Sequence, residues 1–142
     1  MHEDGTTGTI RELRLVVTAP DYDEALHFYR DVLGLEELAE FASPDGRVTL
    51  LGAGRATLEL TDVPNAKYVD RVEVGRRVGG HIRVAFEVDD AVAATAAAEA
   101  AGARVIAEPV QTPWDSLNAR LEAPAGLQLT LFEELSPKAT VT

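Results

Sequence analysis

Gly80-His81-Ile82-Arg83-Val84-Ala85-Phe86-Glu87-Val88-Asp89-Asp90 alternates strictly between apolar and mixed positions. Ile82, Val84, Phe86 and Val88 fall on one side of a strand, and His81, Arg83, Ala85 and Glu87 on the other. An earlier stretch has the same design. Leu13, Leu15 and Val17 alternate with Arg14, Val16 and Thr18, and Asp21 follows Arg14 at the distance at which Asp90 follows Arg83. Each strand leads into a helical segment closed by glycine (Gly34, Gly102) and then into shorter strand-like runs. The chain therefore reads as two copies of one unit.

Outward from this repeat, strand one spans about 10–18 and is stopped by Pro20. Asp21 is placed to cap a helix, with Glu24 completing a capping box. An i, i+3, i+4, i+7 stripe predicts that Ala25, Phe28, Tyr29, Val32 and Leu33 are buried. Extended segments follow near 35–42, 47–52 and 55–62, divided by Ser43-Pro44-Asp45-Gly46 and Gly52-Ala53-Gly54. Residues 63–79 form a connector: Val63-Pro64-Asn65 reads as a breaker, 66–72 as a short helix, and Gly79-Gly80 as a joint. The second copy continues through strand 80–88, an alanine-rich helix at about 90–101, and strands near 103–108, 117–123 and 127–133. A loop from Pro109 to Ser116 carries Trp114, the only tryptophan.

This order predicts an α+β fold: two βαβββ modules forming a curved mixed sheet around a cleft, with helices on the outer face. The expected organisation is a flexible 1–9, a single domain over 10–134 (module one 10–62, connector 63–79, module two 80–134), and a flexible tail over 135–142. The apolar sides (Leu13, Leu15, Val17; Ala56, Leu58, Leu60; Ile82, Val84, Phe86, Val88; Leu127, Leu129, Leu131) belong against the helices. The opposite, mixed face carries arginines, glutamates, His81, Asn118, Thr130 and Phe132.

A net charge of −11 argues against nucleic acid as a partner. The exception, Arg71, Arg76 and Arg77, reads as a solvated connector. No apolar run is long enough to span a bilayer. The polar, acidic start and the absence of cysteine make a cytoplasmic protein the expectation.

Two βαβββ units, with His27-Phe28-Tyr29-Arg30-Asp31-Val32-Leu33-Gly34-Leu35 after the first strand, resemble the glyoxalase, bleomycin-resistance protein and extradiol dioxygenase superfamily. Ala56-Thr57-Leu58-Glu59-Leu60-Thr61, Ala85-Phe86-Glu87-Val88-Asp89-Asp90 and Ala123-Pro124-Ala125-Gly126-Leu127-Gln128-Leu129-Thr130-Leu131-Phe132 extend the resemblance over about residues 10–134. It implies a small-molecule cleft and a homodimer. In metal-using members it implies four ligands, at positions that map to Arg14, Glu59, Arg83 and Thr130. Only Glu59 is a competent ligand for a divalent ion, and two guanidinium groups would repel one. A shifted site using Glu59 and His81 would have few protein ligands. No metal and no cofactor are therefore expected.

The resulting expectation is a cleft that binds a small oxygen-rich, anionic or aromatic molecule through Arg14, Glu59, His81, Arg83, Trp114, Asn118, Thr130 and Phe132. Alternatives are a glyoxalase-like lyase or isomerase, or a dioxygenase, either metal-free with Glu59 as the base or with a non-standard metal site. Arg14, Glu59 and Arg83 could equally form a purely structural ion cluster. His81 could be a strand-end histidine, and Trp114 either core or a flap over the cleft mouth.

Overall fold

The computed structural model describes residues 10–136. The expectations for 1–9 and for most of the tail lie outside these residues. The elements are β1 (Ile10–Thr18), α1 (Tyr22–Leu26, continued by a π-helical turn His27–Val32), β2 (Glu36–Ser43), β3 (Gly46–Ala53), β4 (Ala56–Thr61) and α2 (Val63–Glu73). Then come β5 (Ile82–Val88), α3 (Ala91–Ala100), β6 (Arg104–Gln111), β7 (Ser116–Ala123) and β8 (Leu127–Glu134). One eight-stranded sheet runs β2-β3-β4-β1-β5-β8-β7-β6. It is an open, curved sheet built from two βαβββ halves.

The halves meet inside the chain. β1 pairs antiparallel with β5, matching Leu15 to Val84 and Val16 to Arg83. Each of these strands also pairs in parallel with the last strand of its own half, β4 and β8. The cleft is thus completed by a single chain and needs no second copy to close it.

On the convex side two cores form. Tyr22 and Leu26 of α1 pack on Leu51 and Leu60, while Ala91 of α3 packs on Val88, Ala119, Leu121 and Leu131. Asp21 caps α1 through the backbone N–H of Glu24, and Asp90 caps α3 through that of Ala93. The predicted α1 stripe is only partly right. Tyr29 and Ala25 face the core, but Phe28, Val32 and Leu33 are exposed. Widening of the helix to a π-helical turn after Leu26 changes the angle between successive residues and rotates these side chains outward.

Two further expectations are corrected. Val63-Pro64-Asn65 begins α2 instead of breaking the chain, because Asp62 accepts from the Asn65 N–H and proline is tolerated in the first turn. The predicted 109–116 loop is shorter than expected: β6 reaches Gln111, with Pro109 at a register shift on the sheet edge, and 112–115, with Trp114, remain as the turn before β7.

The convex face is also incompletely covered. Leu13, Leu15, Ile82 and Leu127 stay 37–48 % exposed, in the strip between α1 and α3. Asp23 and Arg30 of α1 lean toward β3 and β2 through Arg47 and Glu37. The opposite flank, with Phe28 and Val32, therefore borders that strip.

Candidate functional site in the concave face

Register alone lines up the concave side. One row across the strands is Thr57, Arg14, Ala85, Thr130 and Arg120; the next is Glu59, Val16 and Arg83. Val16, Ala85 and Phe132 form a small buried apolar floor, with the Arg14 guanidinium 4.9 Å from the centre of the Phe132 ring.

The connector helix was not expected on this side. α2 lies across the concave face and is fixed there by charge. Arg120, with no exposed surface, donates to Glu73 (2.7 and 3.2 Å), Asp70 (2.9 Å) and Gln128 (2.8 Å). Asn118 donates to Glu73 at 2.6 Å and accepts from the Ser116 hydroxyl at 2.6 Å. Asn118 is thus occupied in holding α2. Asp70 also accepts from Arg77 (2.6 Å) and from the N–H groups of Val78 (2.8 Å) and Gly79 (2.7 Å). Burial pushes its carboxyl up, but the hydrogen bonds from Gly79, Arg77, Val78 and Arg120 prevail and hold it at about 2. Sequence reasoning missed Asp70, Glu73 and Arg120 as a unit. The only signal was carboxylates spaced i, i+3 on α2, and nothing local said that the helix would meet Arg120.

Between α2 and the sheet lies a cavity of about 20 Å³, lined among others by Val16, Thr18, Glu59, Asp70, Arg77 and Arg83. Two ionisable side chains face it with unfilled hydrogen-bonding capacity. Arg83 makes no hydrogen bond or ion pair among the described residues. Its pKa is lowered by burial and by repulsion from Arg120. Among the described residues Glu59 has no hydrogen bond, and its single ion-pair contact is Arg14 at 3.8 Å. Burial raises its pKa against the pull of Arg83 and Arg14. Arg14 is better served: it donates to Glu12 at 3.2 Å. The Thr130 hydroxyl is buried without a hydrogen-bond partner among the described residues.

The remaining predicted residues stand apart. His81 is exposed, just before β5, and its carbonyl accepts from the Thr18 N–H at 2.9 Å. Trp114 is 41 % exposed and lies 6.0 Å from the ring of Tyr68 on α2; it does not line the cavity.

The family model described as the Glyoxalase/Bleomycin resistance protein/Dioxygenase superfamily matches residues 13–131, and the chain belongs to that superfamily. It is 31 % identical over 135 residues to the lactoylglutathione lyase of Haemophilus influenzae, covering 89 % of this chain and 95 % of that one. It is 34 % identical over 137 residues to "Putative glyoxylase CFP32" of Mycobacterium tuberculosis, covering 92 % of this chain. It spans only about half (45 %) of the length of that mycobacterial protein. In fold it is similar to a methylmalonyl-CoA epimerase variant from Streptomyces coelicolor in complex with 2-nitronate-propionyl-CoA (TM-score 0.66, 20 % identity, 94 % of this chain and 100 % of that chain).

The four positions that hold a divalent ion in metal-using members do not fit one here. Arg14 and Arg83 are cationic and their donors point hydrogen, not lone pairs, into the site; Thr130 is a weak neutral ligand; Glu59 alone is suitable.

Asp70 gives a stability prediction with a definite sign. Its folded pKa lies below the ordinary 3.8, so its stabilising contribution is complete above about pH 4 and is lost as pH falls toward 2. The difference corresponds to roughly 2 kcal/mol. Urea unfolding of Asp70→Asn should show a flatter acid limb than wild type; parallel limbs would contradict the assignment.

Proposed function

We propose that this chain binds a small, oxygen-rich acid or carbonyl compound at the centre of the concave face, without a divalent metal. The observation that carries the reading is Arg83: a partly buried guanidinium, facing a cavity, with no acceptor among the described residues. A carboxylate or enolate-like oxygen is the natural complement to such a fork of donors. Val16, Ala85 and Phe132 offer an apolar floor, and Glu59 a neighbouring carboxyl that burial keeps protonated beyond the usual range. The solved epimerase complex, with its propionyl-CoA analogue, makes an acyl or oxo-acid head group a reasonable first choice.

Isothermal titration with pyruvate tests this. Arg83→Ala should weaken binding by about 2 kcal/mol, roughly thirtyfold, the usual scale for a charge-assisted hydrogen bond. Binding should also weaken as pH rises through the raised Glu59 pKa, because ionised Glu59 repels the anion; Glu59→Gln should remove that slope. Choline binding more tightly than pyruvate, or Arg83→Ala binding as well as wild type, would sink the reading.

A second reading is favoured by Glu59. Its carboxylate has no hydrogen bond among the described residues and stands on the same cavity as Arg83. This is the arrangement for taking a proton from carbon next to a carbonyl, the electron pair moving onto an oxygen that Arg83 stabilises. In deuterium oxide, wild type should then exchange the methyl protons of pyruvate faster than Glu59→Gln does, as followed by proton NMR. Equal rates would leave a binding protein.

We further propose a homodimer formed through the strip between α1 and α3. Leu13, Leu15, Ile82 and Leu127 on the sheet, with Phe28 and Val32 on the flank of α1, leave their side chains 37–60 % exposed. At about 150–200 Å² per side chain this is roughly 400–550 Å² of apolar surface, the size of the largest patch on an ordinary protein and a common location for an interface. It is more than half of the ~800 Å² that one partner contributes to a standard interface. The antiparallel β1–β5 pair at its floor relates the two halves by a local two-fold, so the surface can match itself. Sedimentation should give twice the 15.2 kDa chain mass, reduced to one chain by Leu15→Glu or Ile82→Glu. A wild-type monomer at micromolar concentration would exclude the dimer.

A further inference from the structure

The cavity beside Arg83, at about 20 Å³, is room for one or two water molecules. Even a two-carbon acid can reach the guanidinium only if one wall moves. The sheet wall cannot, since Val16, Glu59 and Arg83 lie on paired central strands. Nor is α2 a ready candidate. Its start is held by the Asp62 cap and by Asn65 donating to Thr61 at 2.8 Å. Its end is held by Glu73 and Asp70 on the fully buried Arg120. Releasing it would strand charges away from water.

The third wall is the segment 74–81, which runs from the end of α2 to β5. Gly75, Arg76, Arg77, Gly80 and His81 are exposed, and Val78 is only half-buried. Gly75 has φ 92°, and a Cβ added at Gly80 would meet nothing within 4 Å. What holds the segment down is mainly one oxygen. Asp70 Oδ2 accepts from Arg77, Val78 N–H and Gly79 N–H, while Asp70 Oδ1 accepts from Arg120. A weaker contact, Gln128 donating to the Val78 carbonyl at 3.2 Å, adds to it. Beyond it, the His81 carbonyl is tied to β1 through Thr18. The carboxylate thus divides its work: one oxygen anchors α2 to the sheet, and the other latches the strap.

On the footing that Arg83 is the anion-binding group, we propose that residues 75–80 are a strap over its site. The strap opens by releasing Asp70 Oδ2 while α2 stays in place, and it closes again over the bound acid. Opening breaks hydrogen bonds whose donors water can satisfy at once, since Arg77 is already 39 % exposed. It leaves the Arg120 network whole. Entry of a small acid is therefore governed by the strap, and Asp70, Arg77 and Gly79, which wall the cavity, act by holding the strap closed.

Amide hydrogen exchange followed by NMR tests this on the free protein, so its first arm does not depend on whether Arg83 binds anything. In wild type, the Val78 and Gly79 amides should exchange at least tenfold faster than those of residues 70–73 of α2. Arg77→Ala should speed the former several-fold and leave the latter unchanged. Gly79→Ala should do the same by another route, because its Cβ would stand 2.9 Å from Arg77 Nη1 and 3.1 Å from an Asp70 oxygen. Added pyruvate should slow the Val78 and Gly79 amides in wild type and fail to do so in Arg83→Ala. Equal exchange across the strap and α2, or no response to either substitution, overturns the strap. If pyruvate is still lost on Arg83→Ala in that case, the binding reading stands and the strap alone falls. If the strap amides respond to the substitutions but not to pyruvate, closure over the acid is excluded.

Discussion

The arrangement of this molecule depends on Arg120. Its guanidinium, sealed from solvent on β7, has Asp70 and Glu73 of α2 as counterions and Gln128 as a further acceptor. Neither side can be exposed or removed alone without leaving a buried charge, and the desolvation cost of that state is several kcal/mol. The network turns what would be a linker between two half-sheets into a fixed cover. The concave face is divided in consequence: its β7 side is filled by α2, and the space that remains sits at the centre, over β4, β1 and β5.

The centre is where charge is least satisfied. Of the arginines Arg14, Arg83 and Arg120 on the concave rows, Arg120 is paired with Asp70, Glu73 and Gln128, Arg14 shares Glu12 and leans on Phe132, and Arg83 has, among the described residues, only diffuse attraction from Glu59, Glu73 and Asp70. A guanidinium with no acceptor among the described residues, beside a carboxyl whose pKa is raised, is a poor way to stabilise a fold, and it is this imbalance that supports the ligand-binding proposal. In this superfamily the equivalent positions can hold a metal. Here positive charge is supplied by the chain itself, in a form that donates hydrogen bonds and cannot be coordinated.

The two halves also impose geometry on each other. Because β1 pairs with β5 within one chain, the pseudo-two-fold runs through the sheet centre. The helices are then left too far apart to cover Leu13, Leu15 and Ile82. The same pairing that completes the cleft on one face creates an uncovered apolar strip on the other.

Much of this was legible in the sequence because it is local. Alternation of 82–88 and 13–17 set both central strands and their two faces; Asp21 and Asp90 marked helix starts; the repeat announced two like halves. Residue chemistry alone also showed that Arg14, Glu59, Arg83 and Thr130 make an unsuitable metal set. What depended on tertiary structure is of a different kind. The π-helical turn that swings Phe28 and Val32 outward responds to packing of Tyr22, Leu26 and Tyr29, which no periodicity contains. The seat of α2 rests on charge pairs between residues 47 and 50 positions apart in the chain. Which arginine is satisfied and which is left open is decided by those pairings, since a guanidinium's role is set by the acceptors that the fold brings to it and not by its neighbours in sequence.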